Sequence, residues 1–175
     1  MSAGTLFVLG GARSGKSRYA QARAEAMTGE LVFVATGQAF DAEMTDRIAR
    51  HRADRGDHWV TVEAPLELAD AIAAESAPGR ILLVDCLTLW ASNLMLADRD
   101  VMAEAAGLVG VIAAAPGPVI LVANEVGLGI VPDNALARRF RDVAGTVNQA
   151  VAACVGEAVF VVAGLAMPLK STPCS

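Results

Sequence analysis

Gly10-Gly11-Ala12-Arg13-Ser14-Gly15-Lys16-Ser17 is the stretch on which the reading of this chain turns. Gly-x-x-x-x-Gly-Lys-Ser is the spacing of a phosphate-binding loop. The glycines let the backbone wrap an anion so that successive N–H groups point inward, and a helix starting at the loop adds the positive end of its dipole. The flanks are those the mechanism needs. Residues 5–9 form a short apolar run that reads as a buried strand, and residues 17–27 are rich in helix formers and stop near Gly29. In such a loop Lys16 reaches the β- and γ-phosphates and the Ser17 hydroxyl binds Mg²⁺.

Further apolar runs at residues 31–35, 81–85, 118–123 and 159–163 read as strands, and 59–63 as a shorter alternating one. Between them, residues 41–55, 66–75, 87–96, 101–115 and 134–155 read as helices. Nearly all-apolar strands alternating with helices predict an α/β fold, a mainly parallel sheet with helices on both faces. With the loop, this is a P-loop NTPase fold in one domain spanning 1–175. Asp85 ends Ile81-Leu82-Leu83-Val84-Asp85, where a carboxylate can hold Mg²⁺; the competing reading makes it a cap for the helix at 87–96. Asn124 and Glu125 end the next strand, on the sheet edge where ligands bind.

Composition bounds the function. A net charge of −5 argues against a nucleic-acid partner, so positive charge for phosphates must be local. The longest apolar stretch, 108–123, is broken by Pro116, Gly117 and Pro118 and cannot span a membrane. The N-terminus has no basic segment before its apolar run, and Cys86, Cys154 and Cys174 form no CxxC pair. Both features fit a cytoplasmic protein with reduced thiols.

Arg47, His51 and Arg55 are spaced to share one helical stripe, with Arg50 and Arg52 beside it. Guanidinium groups suit a triphosphate. An imidazole among cations favours its neutral form, which leaves a lone pair for attack on phosphorus. On spacing alone, a solvated helix balanced by Asp46, Asp54 and Asp57 is at least an equal reading, and a surface histidine is the favoured one.

At larger scale the chain resembles the bifunctional adenosylcobinamide kinase/adenosylcobinamide-phosphate guanylyltransferases of cobalamin biosynthesis. The resemblance runs over essentially the whole sequence. After the phosphate loop it rests on Ala35-Thr36, on Asp41-x-Glu43-Met44 leading to Arg47-Ile48-x-x-His51-Arg52, and on His58-Trp59-x-Thr61-x-Glu63. It continues through Val84-Asp85-Cys86-Leu87-Thr88 and Asn93-Leu94. The most specific segment is Asn124-Glu125-Val126-Gly127-x-Gly129-Ile130-Val131-Pro132-x-Asn134, followed by Arg138, Phe140-Arg141-Asp142, Gly145 and Asn148-Gln149.

The resemblance implies a RecA-like P-loop fold, a homo-oligomer (a trimer) and two reactions. ATP or GTP phosphorylates adenosylcobinamide; GTP then guanylylates a histidine, His51 by position, and GMP passes to adenosylcobinamide phosphate. By the same carry-over His51 and Lys16 are catalytic. The nucleotide contacts are Gly10, Gly11, Ala12, Arg13, Ser14, Gly15, Lys16, Ser17, Ala35, Thr36, Gly37, Arg52, Ala53, Asp54, Arg55, Glu63 and Asp85, with Ser17 and Asp85 on Mg²⁺. A contact at Ala53 is through backbone, and Glu63 is expected to accept from the guanine or the ribose. A plain small-molecule kinase, or a nucleotide switch acting on a protein partner, would use the same loop but leaves residues 124–134 without a purpose.

Overall fold

The computed structural model describes residues 4–38 and 56–171. Each apolar run expected to be a strand is one: β1 (Leu6–Gly10), β2 (Glu30–Ala35), β3 (Trp59–Glu63), β4 (Arg80–Asp85), β5 (Val119–Asn124) and β6 (Glu157–Val162). A seventh, β7 (Leu165–Lys170), is an addition to that expectation. The helices are α1 (Lys16–Glu25), α2 (Leu68–Glu75), α3 (Leu87–Leu96), α4 (Val101–Ala114) and α5 (Ala135–Cys154). The helix expected at 41–55 lies outside the described residues.

All strands belong to one sheet in the order β3-β2-β4-β5-β1-β6-β7. Every pairing is parallel except β6 with β7. The β6–β7 turn is Ala163-Gly164 with φ of 52° and 79°, the doubly left-handed backbone of a two-residue hairpin. Pro168 cannot donate to a ladder, so its presence argues against a strand in the sheet interior. β7 resolves the conflict by taking the edge, with a register shift at Ala158/Val159 beside the Val159–Pro168 pairing.

The period-2 alternation of the strands divides the core in two. Phe7, Val34, Leu82, Val84 and Leu121 face Leu68 of α2, Trp90 of α3, Leu108 of α4 and Val147 of α5. Leu6, Val8, Phe33, Leu83, Ile120 and Val122 face Ala20 and Ala24 of α1. Helices therefore lie on both faces, as expected, but among the described residues four cover one face and α1 the other. Alanine contacts let α1 lie close to the sheet over β1, β4 and β5, which sets the phosphate loop at its N-terminus against the edge formed by the strands' C-terminal ends.

The far end of α1 is tied to β6 by a two-pronged ion pair, Arg23 Nη1 and Nη2 donating to Glu157 Oε1 and Oε2 at 2.9 and 2.7 Å. Arg23 holds the Glu157 carboxyl below the usual carboxylate range. A depressed folded value means that the pair stabilises the fold above the unfolded carboxylate range and loses its effect as pH falls through the folded one. Both side chains are about one-third exposed, so the contribution is modest. Urea titrations of Glu157→Gln should show a loss of at most about 1 kcal/mol at neutral pH. That gap should narrow as pH falls below the ordinary carboxylate range.

Candidate nucleotide-binding site

The loop between β1 and α1 is shaped by backbone conformation. Arg13 and Gly15 have positive φ, 55° and 94°, while Ala12 and Ser14 between and before them do not. This alternation turns successive N–H groups toward one concavity, the geometry of an anion-binding nest. A non-glycine residue such as Arg13 in the left-handed region is uncommon and marks functional loops. Lys16 Nζ donates across the loop to Gly11 O at 3.2 Å, and Ser14 N donates to the same carbonyl at 3.3 Å.

The β6–β7 turn closes one side of this loop. Gly164 N donates to Ser14 O at 2.8 Å. A Cβ on Gly15 would sit 3.2 Å from Gly164 Cα. At Gly10 there is no room for any side chain, since a Cβ would come within 2.5 Å of Val161 O and 2.6 Å of Ser14 Oγ. Gly10→Ala should therefore push the loop off β6. We expect a loss of about 1–3 kcal/mol in thermal unfolding, and at least about tenfold weaker binding of a fluorescent nucleotide analogue.

Asp85 lies two strands from β1, with β5 between. It pairs in register with Val122 of β5 and Ala35 of β2, and Ala35 pairs with Glu63 of β3. Ile81 and Leu83 face α1, so by alternation Asp85 does too, and the same parity carries Ala35 and Glu63 to that face. With strands about 4.8 Å apart, Asp85 stands about 10 Å across the sheet from β1, and Glu63 about 19 Å. The three residues thus line one row leading away from the phosphate loop. The N-cap position of α3 is held by Cys86, not Asp85. Burial first, and then the neighbouring Asp85 carboxylate, push the Cys86 thiol up to about 11, which keeps it protonated at neutral pH.

Thr36, expected as a nucleotide contact, is fully buried. Its hydroxyl donates to Cys86 O at 2.7 Å and accepts from Cys86 N at 2.8 Å. Its carbonyl accepts from Asn93 Nδ2 at 2.8 Å. The side chain thus fixes the peptide after Asp85. Ala35 and Gly37 are half-buried on either side of it, and Glu63 is exposed. His51 and the expected contacts Arg52, Ala53, Asp54 and Arg55 lie outside the described residues.

A second set of buried polar groups carries this edge on to β1. Thr88 Oγ1 accepts from Asn124 N at 2.7 Å, Asn148 Nδ2 donates to Asn124 O at 3.3 Å, and Glu125 N donates to Gly10 O at 3.0 Å. Thr88, Asn93 and Asn148 are buried polar residues on otherwise apolar helix faces, which is the sequence signal for such a role. Taken together, the phosphate loop, the Asp85 row and the polar ties that fix them form a rigid edge suited to holding a polyphosphate.

Comparison with known proteins agrees. Residues 6–169 match the family described as cobinamide kinase / cobinamide phosphate guanyltransferase. The bifunctional adenosylcobalamin biosynthesis protein CobP of Pseudomonas aeruginosa is 49% identical over 168 residues, covering 95% of this chain and 97% of that protein. The bifunctional adenosylcobalamin biosynthesis protein CobU of Escherichia coli is 40% identical, covering 94% and 99%. Among solved structures, the P4 protein of bacteriophage phi6 in complex with ADP superposes with a TM-score of 0.51 at 16% identity, a likeness of fold alone. The match covers 97% of this chain but only 55% of that one. With its phosphate loop set in a mainly parallel P-loop sheet and its sequence matched almost end to end, the chain belongs to the cobinamide kinase / cobinamide phosphate guanyltransferase family.

Proposed function

We propose that the chain phosphorylates the aminopropanol hydroxyl of adenosylcobinamide with ATP or GTP. It then transfers GMP from GTP, by way of His51, to adenosylcobinamide phosphate, giving adenosylcobinamide-GDP and pyrophosphate. The observation that carries this reading is the phosphate loop held between β5 and β6 with the Asp85 row on the same face, in a chain of this family. In the first reaction the acceptor oxygen forms a bond to the γ-phosphorus as the bond to the β–γ bridging oxygen breaks. Lys16 and the loop N–H groups stabilise the charge that develops on the phosphoryl oxygens.

In the second reaction a neutral imidazole nitrogen of His51 attacks the α-phosphorus, and the electron pair of the broken P–O bond leaves with pyrophosphate. An oxygen of the acceptor phosphate then attacks the same phosphorus, and the P–N bond returns its pair to the imidazole. Arg52, Asp54 and Arg55, with the backbone of Ala53, are proposed to contact the nucleotide, the arginines at its triphosphate, and Glu63 the guanine or ribose. A nucleotide held at both the phosphate loop and Glu63 would lie extended along the row through Asp85 and Ala35.

Ser17 and Asp85 offer hard oxygen donors from adjoining elements on one face, which suits Mg²⁺. Among the described residues no three His, Cys, Asp or Glu side chains cluster as a metal site, so nucleotide oxygens would complete the coordination. The ion supplies neutralisation of phosphate charge when bound.

One sheet draws its strands from residues 6 to 170, which supports a single domain. Among the described residues no helix is long and apolar enough to cross a membrane. We place the enzyme in the cytoplasm as a homo-oligomer, a trimer by family resemblance. The direct test incubates the protein with adenosylcobinamide, GTP and Mg²⁺ and follows the corrinoids by chromatography with mass detection. Sequential appearance of the phosphate and the GDP derivative is expected; accumulation of the phosphate alone would reduce the protein to a kinase.

A further inference from the structure

Residues 125–134 join β5 to α5 and begin at the phosphate loop, where Glu125 N donates to Gly10 O at 3.0 Å. Several polar side chains at the two ends of this segment bond its own backbone. The Glu125 carboxylate accepts from Gly127 N. Asn134 Oδ1 accepts from Ala137 N at 2.7 Å. Arg138 Nη1 donates to Pro132 O and Asp133 O at 3.0 and 2.7 Å. The aliphatic groups are turned outward instead: Leu128 is 82% exposed, Ile130 97% and Val131 60%. A loop that fixes its own backbone with hydrogen bonds and leaves three large hydrophobic groups within four residues in water is built to be covered.

Position selects the occupant. The segment continues the strand beside β1, so it flanks the phosphate loop; the opposite flank is closed by the β6–β7 turn on Ser14 and Gly15. A nucleotide has little use for aliphatic contacts here, because its phosphates need the loop's N–H groups. The acceptor does, since its hydroxyl must reach the γ-phosphate while a large, partly hydrocarbon ring rests within one tail's length. We infer that Leu128, Ile130 and Val131 form the platform on which the apolar face of the corrin ring of the acceptor lies. The inference rests on the corrinoid reading of the preceding subsection and adds the residues that bind the ring.

The test is the double variant Leu128→Ser/Ile130→Ser in the full chain, with Leu128→Ala/Ile130→Ala as a milder second variant should the first fold poorly. The measurements are KM for adenosylcobinamide and for ATP in the phosphorylation assay, and the assembly mass by sedimentation. The platform predicts that KM for the corrinoid rises about tenfold or more, while KM for ATP and the assembly mass hold. An unchanged corrinoid KM overturns the platform. So does a fall in assembly mass with both KM values altered, which would make the loop a contact between copies of this chain. A native protein that phosphorylates no corrinoid would overturn the functional reading as well, and is told apart by its failure before any substitution.

Discussion

Replacing Lys16 by alanine is expected to slow phosphorylation of adenosylcobinamide by about a hundred- to a thousandfold. The ammonium is half-buried and makes one hydrogen bond within the loop, to Gly11 O at 3.2 Å. Loss of that bond costs the fold about 1 kcal/mol, so thermal unfolding should move by only a few degrees. The large effect is kinetic, because charge accumulates on the γ-phosphoryl oxygens in the transition state and Lys16 is the cation the loop presents to it. Guanylylation should fall in parallel if the same loop holds the triphosphate for both reactions. Steady-state kinetics beside calorimetry check this. A variant that loses stability but keeps its turnover would mean that Lys16 only braces the loop.

His51→Ala is expected to split the two reactions. Phosphorylation by ATP should stay within about twofold of the native rate, since that step needs no covalent nucleotide. Formation of adenosylcobinamide-GDP should disappear, because the proposed route carries GMP on His51, and the buried, protonated Cys86 thiol offers no substitute. The measurement is corrinoid product analysis with ATP alone, then with GTP. Loss of both reactions together would instead assign His51 to triphosphate binding. Retention of both would remove it from the chemistry.

The central strands are legible in the sequence because a parallel strand covered on both faces must be apolar at nearly every position, as Ile81-Leu82-Leu83-Val84 and Val119-Ile120-Leu121-Val122 are. β7 is not, because it lies at the edge. Its Leu165, Met167 and Leu169 are more than half exposed, and Pro168 interrupts the pattern. Its turn uses Ala163-Gly164, where an asparagine or aspartate before the glycine would have announced a hairpin.

The site divides in the same way. The phosphate loop is contiguous, and its chemistry is carried by spacing; Asp85 is legible because it ends an apolar strand. Thr36, Thr88, Asn93 and Asn148 join segments 24 to 57 positions apart, and no local pattern encodes their partners. For Thr36 the hydroxyl could equally have met a phosphate or a peptide group, and the fold directs it to Cys86. The exposed apolar run at 128–131 is visible in the sequence, but the bond from Glu125 N to Gly10 O that ties the start of its segment to the phosphate loop is not.

The central claim is that GMP passes through a covalent bond to His51. Intact-protein mass spectrometry after incubation with GTP and Mg²⁺, beside the His51→Ala variant, tests it most directly. The account predicts a GMP-sized adduct on the native chain, absent from the variant and discharged by adenosylcobinamide phosphate. A native chain that converts adenosylcobinamide phosphate to the GDP derivative without ever carrying the adduct would contradict it.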